Sequence, residues 1–298
     1  MTGEIADAMI DSTSNDSFRR LVRLLQSSRD RRREQRSVIE GVHLVDAFLQ
    51  ATQGAHTGQT PLLESSRIHW LFVPTERFTD PEILDLIKRM RANQGSANHA
   101  DRPRVLGLSA TLFKKVSQLE QGYGPIAVID TPSSSLPEQL HGDCVYLDRI
   151  QDPGNMGSIL RTAAAAGIRH VLASPGTAFA WAPKVLRAGM GAHFALRITE
   201  GVPFESLTAQ LLSDLSLCAL VAPGQAQEAS ALHEVDLSGR TLWLFGNEGQ
   251  GLDPSLLADS RLSRITIDQA EQVESMNVAA AAAVALFEQR RQRLIRLP

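Results

Sequence analysis

The chain has 298 residues, 43% of them hydrophobic and 21% charged, with a formal net charge of −3. Against domains of ~100–200 residues this length points to two domains, and the composition excludes a disordered chain. The near-neutral charge also excludes a polycation that holds nucleic acid by bulk attraction, so any such site must be a local patch.

In chain order, residues 1–15 are small and polar and are expected to form a disordered tail. Residues 18–36, FRRLVRLLQSSRDRRREQR, carry eight arginines against two acids, Asp30 and Glu34. Leu21, Leu24 and Leu25 fall at helical spacing, so this segment opens as an amphipathic helix with a basic outer face. Mutual repulsion among the arginines favours an anionic partner, and arginine suits bidentate phosphate contacts. A helix over 43–50, strands at 70–73 and 126–129, a helix over 81–92 and a polar loop over 93–101 predict a small α/β unit. Residues 131–143, TPSSSLPEQLHGD, have the proline and serine content of a boundary loop.

The second half alternates more regularly. Strands are expected at 144–150, 170–174, 192–198, 217–221, 241–246 and 263–267. Helices are expected over 155–166, 183–190 and 204–214, with a short one from Pro254 and a long one from about Met276. Repeated βα units mean a parallel sheet covered by helices. The opening MTGEIADAMID has acids where a signal peptide needs a basic region, and the longest apolar run, 278–287, is half the ~20 residues of a membrane span. Cys144 and Cys218 cannot build a disulfide framework or a four-cysteine zinc site, and the eight histidines lack metal-ligand spacing. These features predict a soluble cytoplasmic protein with no metal.

Three glycine-containing polar segments follow predicted strands, where open α/β sheets place ligands. In LDRIQDPGNMGSILRTAAAAG, Asp-Pro-Gly makes a tight turn and Asn155 is the expected helix cap. Arg161 lies nearly two turns into that helix, a costly place for a charge unless it reaches a cleft or an anion. Asp148 and Asp152 are read as shaping the turn rather than as an acid/base pair. In LWLFGNEGQGLDP, Gly246, Gly249 and Gly251 surround Glu248 and leave backbone groups available to a ligand. The spacing is neither the dinucleotide fingerprint nor a P-loop. In ITIDQAEQVESMNVAAAAAVALFEQRRQ, Ser275, Met276 and Asn277 open an alanine-rich helix suited to close packing.

Together, N-x-G-x-x-x-R-T-A, L-F-G-N-E-G-x-G-L and E-S-M-N-V-A resemble, in order and spacing, the three motifs of the SpoU/TrmH family. These are S-adenosylmethionine-dependent RNA ribose 2′-O-methyltransferases of the SPOUT superfamily, and the resemblance covers about 145–290. The opening basic stretch and E-G-x-x-L-V-x-x-x-L are similar to the RNA-binding domain that precedes the module in rRNA methylases. Motif three usually begins Ile-Pro-Met with a nearby glycine, whereas this chain reads Ile265-Thr266-Ile267, then Asp268, Gln269 and Ala270.

The resemblance implies an α/β fold with a SPOUT-type parallel sheet and a deep C-terminal trefoil knot. Before it would stand a smaller α/β RNA-binding domain like the ribosomal proteins L30e and L7Ae. The expected division is a tail over 1–15, an RNA-binding domain over 16–135, a linker over 136–142 and a catalytic domain over 143–298. The family binds S-adenosylmethionine without a metal. Here Leu244, Phe245, Gly246, Asn247, Glu248, Gly249, Gly251, Ile265, Ile267, Ser275, Met276, Asn277 and Val278 would hold it. Arg161, Asn155, Glu248, Ser275 and Asn277 would form the catalytic set, with Arg161 stabilising alkoxide charge or a phosphate, since arginine keeps its proton. Arg19, Arg20, Arg23, Arg29, Arg31, Arg32, Arg33, Arg36 and Arg187 are the candidates for RNA contact. The implied activity is 2′-O-methylation of structured RNA, 23S-type ribosomal RNA before tRNA, by a homodimer paired through the catalytic domain. The alternative is a catalytically silent RNA-binding or ribosome-assembly factor on the same scaffold.

Overall fold

Ala8, Met9 and Ile10 form a strand, β1 (Ala8–Ile10), inside the segment expected to be a disordered tail. Ile10 is buried, and the Asp7 N–H donates to the Val105 carbonyl at 2.8 Å, so this short apolar run gains more as a sheet edge than in solvent. The computed structural model describes residues 5–53, 63, 66–92, 102–119, 124–132, 135–223, 228–270, 272 and 275–295. The loop expected over 93–101 lies outside them. The chain divides into two units, Met1–Pro132 with Trp181–Arg187, and Ser133–Ala180 with Ala188–Pro298.

The first unit continues with α1 (Asp16–Gln26), α2 (Ser28–Glu34), β2 (Arg36–Glu40), α3 (Val42–Gln53), β3 (Ile68–Pro74), α4 (Pro81–Ala92), β4 (Arg104–Leu108), α5 (Ala110–Val116) and β5 (Ile126–Asp130). Its sheet runs β1-β4-β3-β5-β2, with β5 antiparallel to both neighbours. The Asn15 side chain caps α1 by accepting from the Ser17 and Phe18 N–H groups. Phe18, Leu21 and Leu24 on its inner face join a core with Phe72, Leu106 and Val128. The basic segment is two helices rather than one. The Ser27 N–H closes α1 on the Arg23 carbonyl while its hydroxyl caps α2 by accepting from the Asp30 N–H.

The second unit comprises β6 (Cys144–Leu147), α6 (Pro153–Ala166), β7 (His170–Ala173), β8 (Arg197–Glu200), β9 (Ser216–Leu220), β10 (Ser230–Ala231), β11 (Thr241–Phe245), a short helix Pro254–Leu257, β12 (Leu262–Thr266) and a final helix Val278–Ile295. Helix α7 (Pro183–Gly189) precedes β8, and its residues to Arg187 group with the first unit. In chain order the two remaining helices are therefore α8 (Pro254–Leu257) and α9 (Val278–Ile295). The sheet is parallel throughout, in the order β10-β12-β9-β11-β6-β7-β8. Strand β11 thus enters between β6 and β9, both earlier in sequence. Every residue of β6, β7 and β11 is buried, as expected of strands covered on both faces.

Two expected elements differ. Over 204–214 only Phe204–Ser206 is helical, as a 3-10 turn. The Thr208 hydroxyl accepts from the Leu211 N–H, offering the backbone a turn in place of a helix, while Leu207, Leu211 and Leu212 still reach the core. The strand expected from 192 begins at Arg197, because Gly191 is left-handed at φ 86° and leads into a 3-10 turn, Ala192–Ala195. Helix α9 packs on α6, with Ala282 and Ala285 fully buried. The Trp243 indole N–H donates to buried Gln289 at 2.8 Å, fixing α9 to β11.

Candidate active site

Helix α6 starts two residues before Asn155, and this frees the Asn155 side chain. Pro153 occupies the first helical turn, where its missing N–H costs nothing, and Asp152 is the cap, accepting from the Asn155 N–H at 2.8 Å. The cap therefore lies three residues before the expected one. The Asn155 side chain instead donates to Glu248 Oε1 at 3.1 Å and accepts from Asn277 Nδ2 at 2.8 Å. Glu248 also accepts from the backbone N–H groups of Gln151 and Asp152, at 3.1 and 3.0 Å. Burial works against its charge, but the Asn155 amide and these N–H groups outweigh it and hold the carboxyl below the usual value. Asn277 Oδ1 caps α9, accepting from Ala279 and Ala280.

The loop after β11 is closed upon itself. Asn247 and Gly251 exchange both backbone hydrogen bonds, and Asn247 Oδ1 accepts from the Gly249 and Gln250 N–H groups. Four backbone N–H groups and two carbonyls that the sequence offered to a ligand are thus spent within the turn. A Cβ on Gly246 would stand 2.3 Å from Gly251 C and Leu252 N, so only glycine permits this approach. Asn247 Nδ2 donates to the Arg149 carbonyl, and buried Asp148 accepts from the Asp253 N–H while pairing with Arg149. Asp148 and Asp152 accordingly hold loops and a helix start.

Beyond the strand ends lies a cavity of about 270 Å³. Its lining includes Asn155, Phe245, Gly246, Asn247, Glu248, Ile267, Ser275, Met276, Asn277 and Val278. Leu244 and Ile265 are buried within β11 and β12, and neither they nor Gly249 and Gly251 line it. Arg161 is exposed on α6, outside the lining, so its charge meets solvent and carries no burial cost. The cavity also includes Leu220, Val221, Ala222, Gln269 and Ala281, which the motifs did not name. The first three end or follow β9, a predicted strand whose carboxyl end was a findable ligand position. Ala281 stands one turn after Asn277, and Gln269 was marked only by the departure of motif three from the family pattern.

The expected RNA-contacting arginines separate by environment. Arg31 is a correction: it is buried, and its guanidinium donates to the Leu24 and Leu25 carbonyls, joining α2 to the end of α1. Arg20 pairs with Glu34 and lies 4.7 Å over the Trp70 ring, and Arg36 pairs with Asp130 at 2.6 Å. Arg33 is exposed but pairs with Asp30. Arg19, Arg23, Arg29 and Arg32 are exposed, Arg23 at 4.0 Å from Glu34 Oε1. Arg187 is half-buried and donates to Gln118. Among the described residues, no group of three or more His, Cys, Asp or Glu is arranged to hold a metal, and no helix is long and apolar enough to cross a membrane.

The SpoU rRNA methylase family profile matches residues 143–287. The chain is 32% identical to the 23S rRNA (guanosine(2553)-2′-O)-methyltransferase of Bacillus subtilis, over 61% of this chain and 71% of that one. It is 29% identical to an uncharacterised tRNA/rRNA methyltransferase of Synechocystis, over 98% of this chain and 96% of the relative. In fold it is similar to an AdoMet-bound rRNA methyltransferase from Sinorhizobium meliloti, at TM-score 0.77 and 22% identity, covering 97% of this chain and 98% of the other.

Proposed function

Since the chain belongs to the SpoU rRNA methylase family, we propose that it transfers a methyl group from S-adenosylmethionine to a ribose 2′-hydroxyl of ribosomal RNA. The observation that carries this reading is the Glu248–Asn155–Asn277 network on one wall of the cavity. The lining fits that cofactor. Leu220, Val221, Ile267 and Val278 offer apolar surface to a flat base, and the ionised Glu248 carboxylate suits a cation.

When bound, S-adenosylmethionine supplies a sulfonium methyl, an electrophile that needs no covalent enzyme intermediate. Glu248 fixes Asn155, and Asn155 with Asn277 keeps the polar wall in one arrangement. Arg161 stands six residues beyond Asn155, about 9 Å along the helix axis. That separation favours work on the RNA: stabilising negative charge as the 2′-hydroxyl loses its proton, or holding a neighbouring phosphate. Ser275 lines the cavity and completes the proposed set.

The division into a tail, an RNA-binding domain over 16–135, a linker and a catalytic domain over 143–298 is retained as a proposal, with the tail shortened by β1. In the first, L7Ae-like domain the exposed Arg19, Arg23, Arg29 and Arg32 are the proposed phosphate contacts. Insertion of β11 between β6 and β9 supports a knotted carboxyl-terminal path. Val284, Phe287, Leu294 and Ile295 are exposed on α9, an apolar stripe that supports a homodimer through this unit. Two buried free cysteines suit a reducing cytoplasm. The test is mass-spectrometric mapping of ribose methylation in rRNA and tRNA with and without the gene. Loss of one 2′-O-methyl mark from rRNA is expected. Unchanged rRNA and loss of a tRNA mark would redirect the substrate, and no lost mark would favour the silent assembly factor.

A further inference from the structure

The cavity lies across the carboxyl ends of four neighbouring strands. Asn155 follows β6, Glu248 follows β11, Leu220 ends β9 and Gln269 follows β12. Strands in a sheet stand ~4.8 Å apart, so the Asn155 and Gln269 ends are separated by about 14 Å. The first end is a closed polar network. Side-chain oxygens of Asn155, Asn247, Glu248 and Asn277 all accept hydrogen bonds from within the protein. The second end differs. Gln269 lines the cavity, yet its Oε1 is buried and has no hydrogen-bond partner among the described residues. A buried acceptor without a donor costs ~1–3 kcal/mol, a penalty that a ligand N–H would remove. Leu220, Val221 and Ile267, which line the same cavity, are apolar and suit the faces of a ring.

Resting on the methyltransferase reading, we infer that Gln269 recognises the adenine of the cofactor, its Oε1 accepting a hydrogen bond from the exocyclic amine. The departure of this chain at the start of motif three then acquires a purpose: a side chain reads the base at that end of the cavity. The methyl-bearing end is left for the Glu248–Asn155–Asn277 wall. Gln269 acts in binding and specificity, and touches no reacting atom.

The test is titration calorimetry of the full chain with S-adenosylhomocysteine and with its 6-deamino analogue, in which hydrogen replaces the amine. A lost neutral hydrogen bond is worth roughly three- to tenfold in affinity. Wild type is expected to bind the deamino analogue weaker by about that factor. Gln269→Met, similar in length but without the acceptor, is expected to bind both compounds alike. Gln269→Glu keeps an acceptor oxygen and is expected to keep the preference. Each ratio is internal to one variant, so a fraction of misfolded protein cancels. A wild-type preference that survives in Gln269→Met, or equal binding by wild type, overturns the inference and leaves the methyltransferase reading intact. Wild type that binds neither compound overturns that reading, and the inference falls with it.

Discussion

Asn277 Nδ2 donates to Asn155 Oδ1 at 2.8 Å, joining residues 122 positions apart in the chain. The same Asn277 caps α9 through its Oδ1, so one amide has two separable duties. Asn277→Asp keeps the capping oxygen and removes the donor. We expect thermal stability within about 1 kcal/mol of wild type, and S-adenosylmethionine affinity reduced roughly tenfold. Asn277→Ala loses both, at a further cost of about 1 kcal/mol. Calorimetry and thermal melts on both variants measure the split. Undiminished cofactor affinity in Asn277→Asp would show that the amide does nothing beyond capping.

Gly246 and Gly249 look equivalent in sequence and are not. A methyl group at Gly246 would overlap the backbone of Gly251 and Leu252, whereas at Gly249 the nearest atom is Asn247 Oδ1 at 3.8 Å. Gly246→Ala is expected to destabilise the protein by roughly 3 kcal/mol and to abolish cofactor binding. Gly249→Ala should change the urea midpoint little. Matched urea titrations with a binding measurement decide the point.

Of the basic residues near the amino terminus, Arg31 serves the fold and the exposed ones are the proposed phosphate contacts. Arg31→Met strands the Leu24 and Leu25 carbonyls and should cost roughly 3 kcal/mol. Arg19→Gln, Arg23→Gln, Arg29→Gln or Arg32→Gln should leave stability unchanged. Each is expected to weaken RNA binding and to lower the salt slope of the affinity by about one unit per lost phosphate contact. Filter binding over a range of salt reads this directly, and unchanged slopes in all four would remove the patch from the RNA site.

Acid should destabilise the protein through its histidines. Burial pushes His193 down to about 4, against the opposing Ala180 carbonyl. Burial, with Arg197 and His141 adding to it, takes His170 to about 4 as well. An unfolded histidine titrates near 6.5, so between those values the unfolded chain binds protons that the folded chain refuses. Stability from these two groups is therefore complete above about pH 6.5 and declines as pH falls towards 4. Urea unfolding at about pH 7.5 and about pH 5 should give a lower midpoint at the acid end. A flat profile would mean that other groups compensate.

Arg161→Lys keeps a positive charge and loses the planar fork. With S-adenosylmethionine affinity expected to be unchanged, turnover on RNA should fall by at least tenfold, on the order of one lost charge-assisted hydrogen bond. Undiminished turnover would sink the proposed role.

The parallel sheet was legible because buried strands read as apolar runs between turn signals, as in Cys144–Leu147 and Thr241–Phe245. The motif residues around Glu248 and Asn277 were legible as polar groups following strands. Asn155 was recognised, but its role as a cap was not correct, because Pro153 at the first turn hands that role to Asp152. The leucines of 204–214 have helical spacing, yet hydroxyl groups take the backbone into turns, a competition that periodicity does not register. Among the arginines, the sequence carries charge but not burial. Arg31 and Arg32 are adjacent and identical, and only the folded chain buries one against carbonyls and leaves the other exposed. Gln269 belongs to the same class: its buried oxygen exists only once β12 lies beside β9.

The bond between Asn155 and Asn277 has a kinetic corollary. The cavity draws on stretches from Asn155 to Ala281, so a chain still emerging from synthesis has no pocket until the start of α9 arrives and docks. Ligand can reward only that finished state, and it should slow the escape from the native state far more than it hastens arrival there. Occupancy then acts as a clasp fastened last, lengthening the lifetime of the assembled enzyme rather than guiding its assembly.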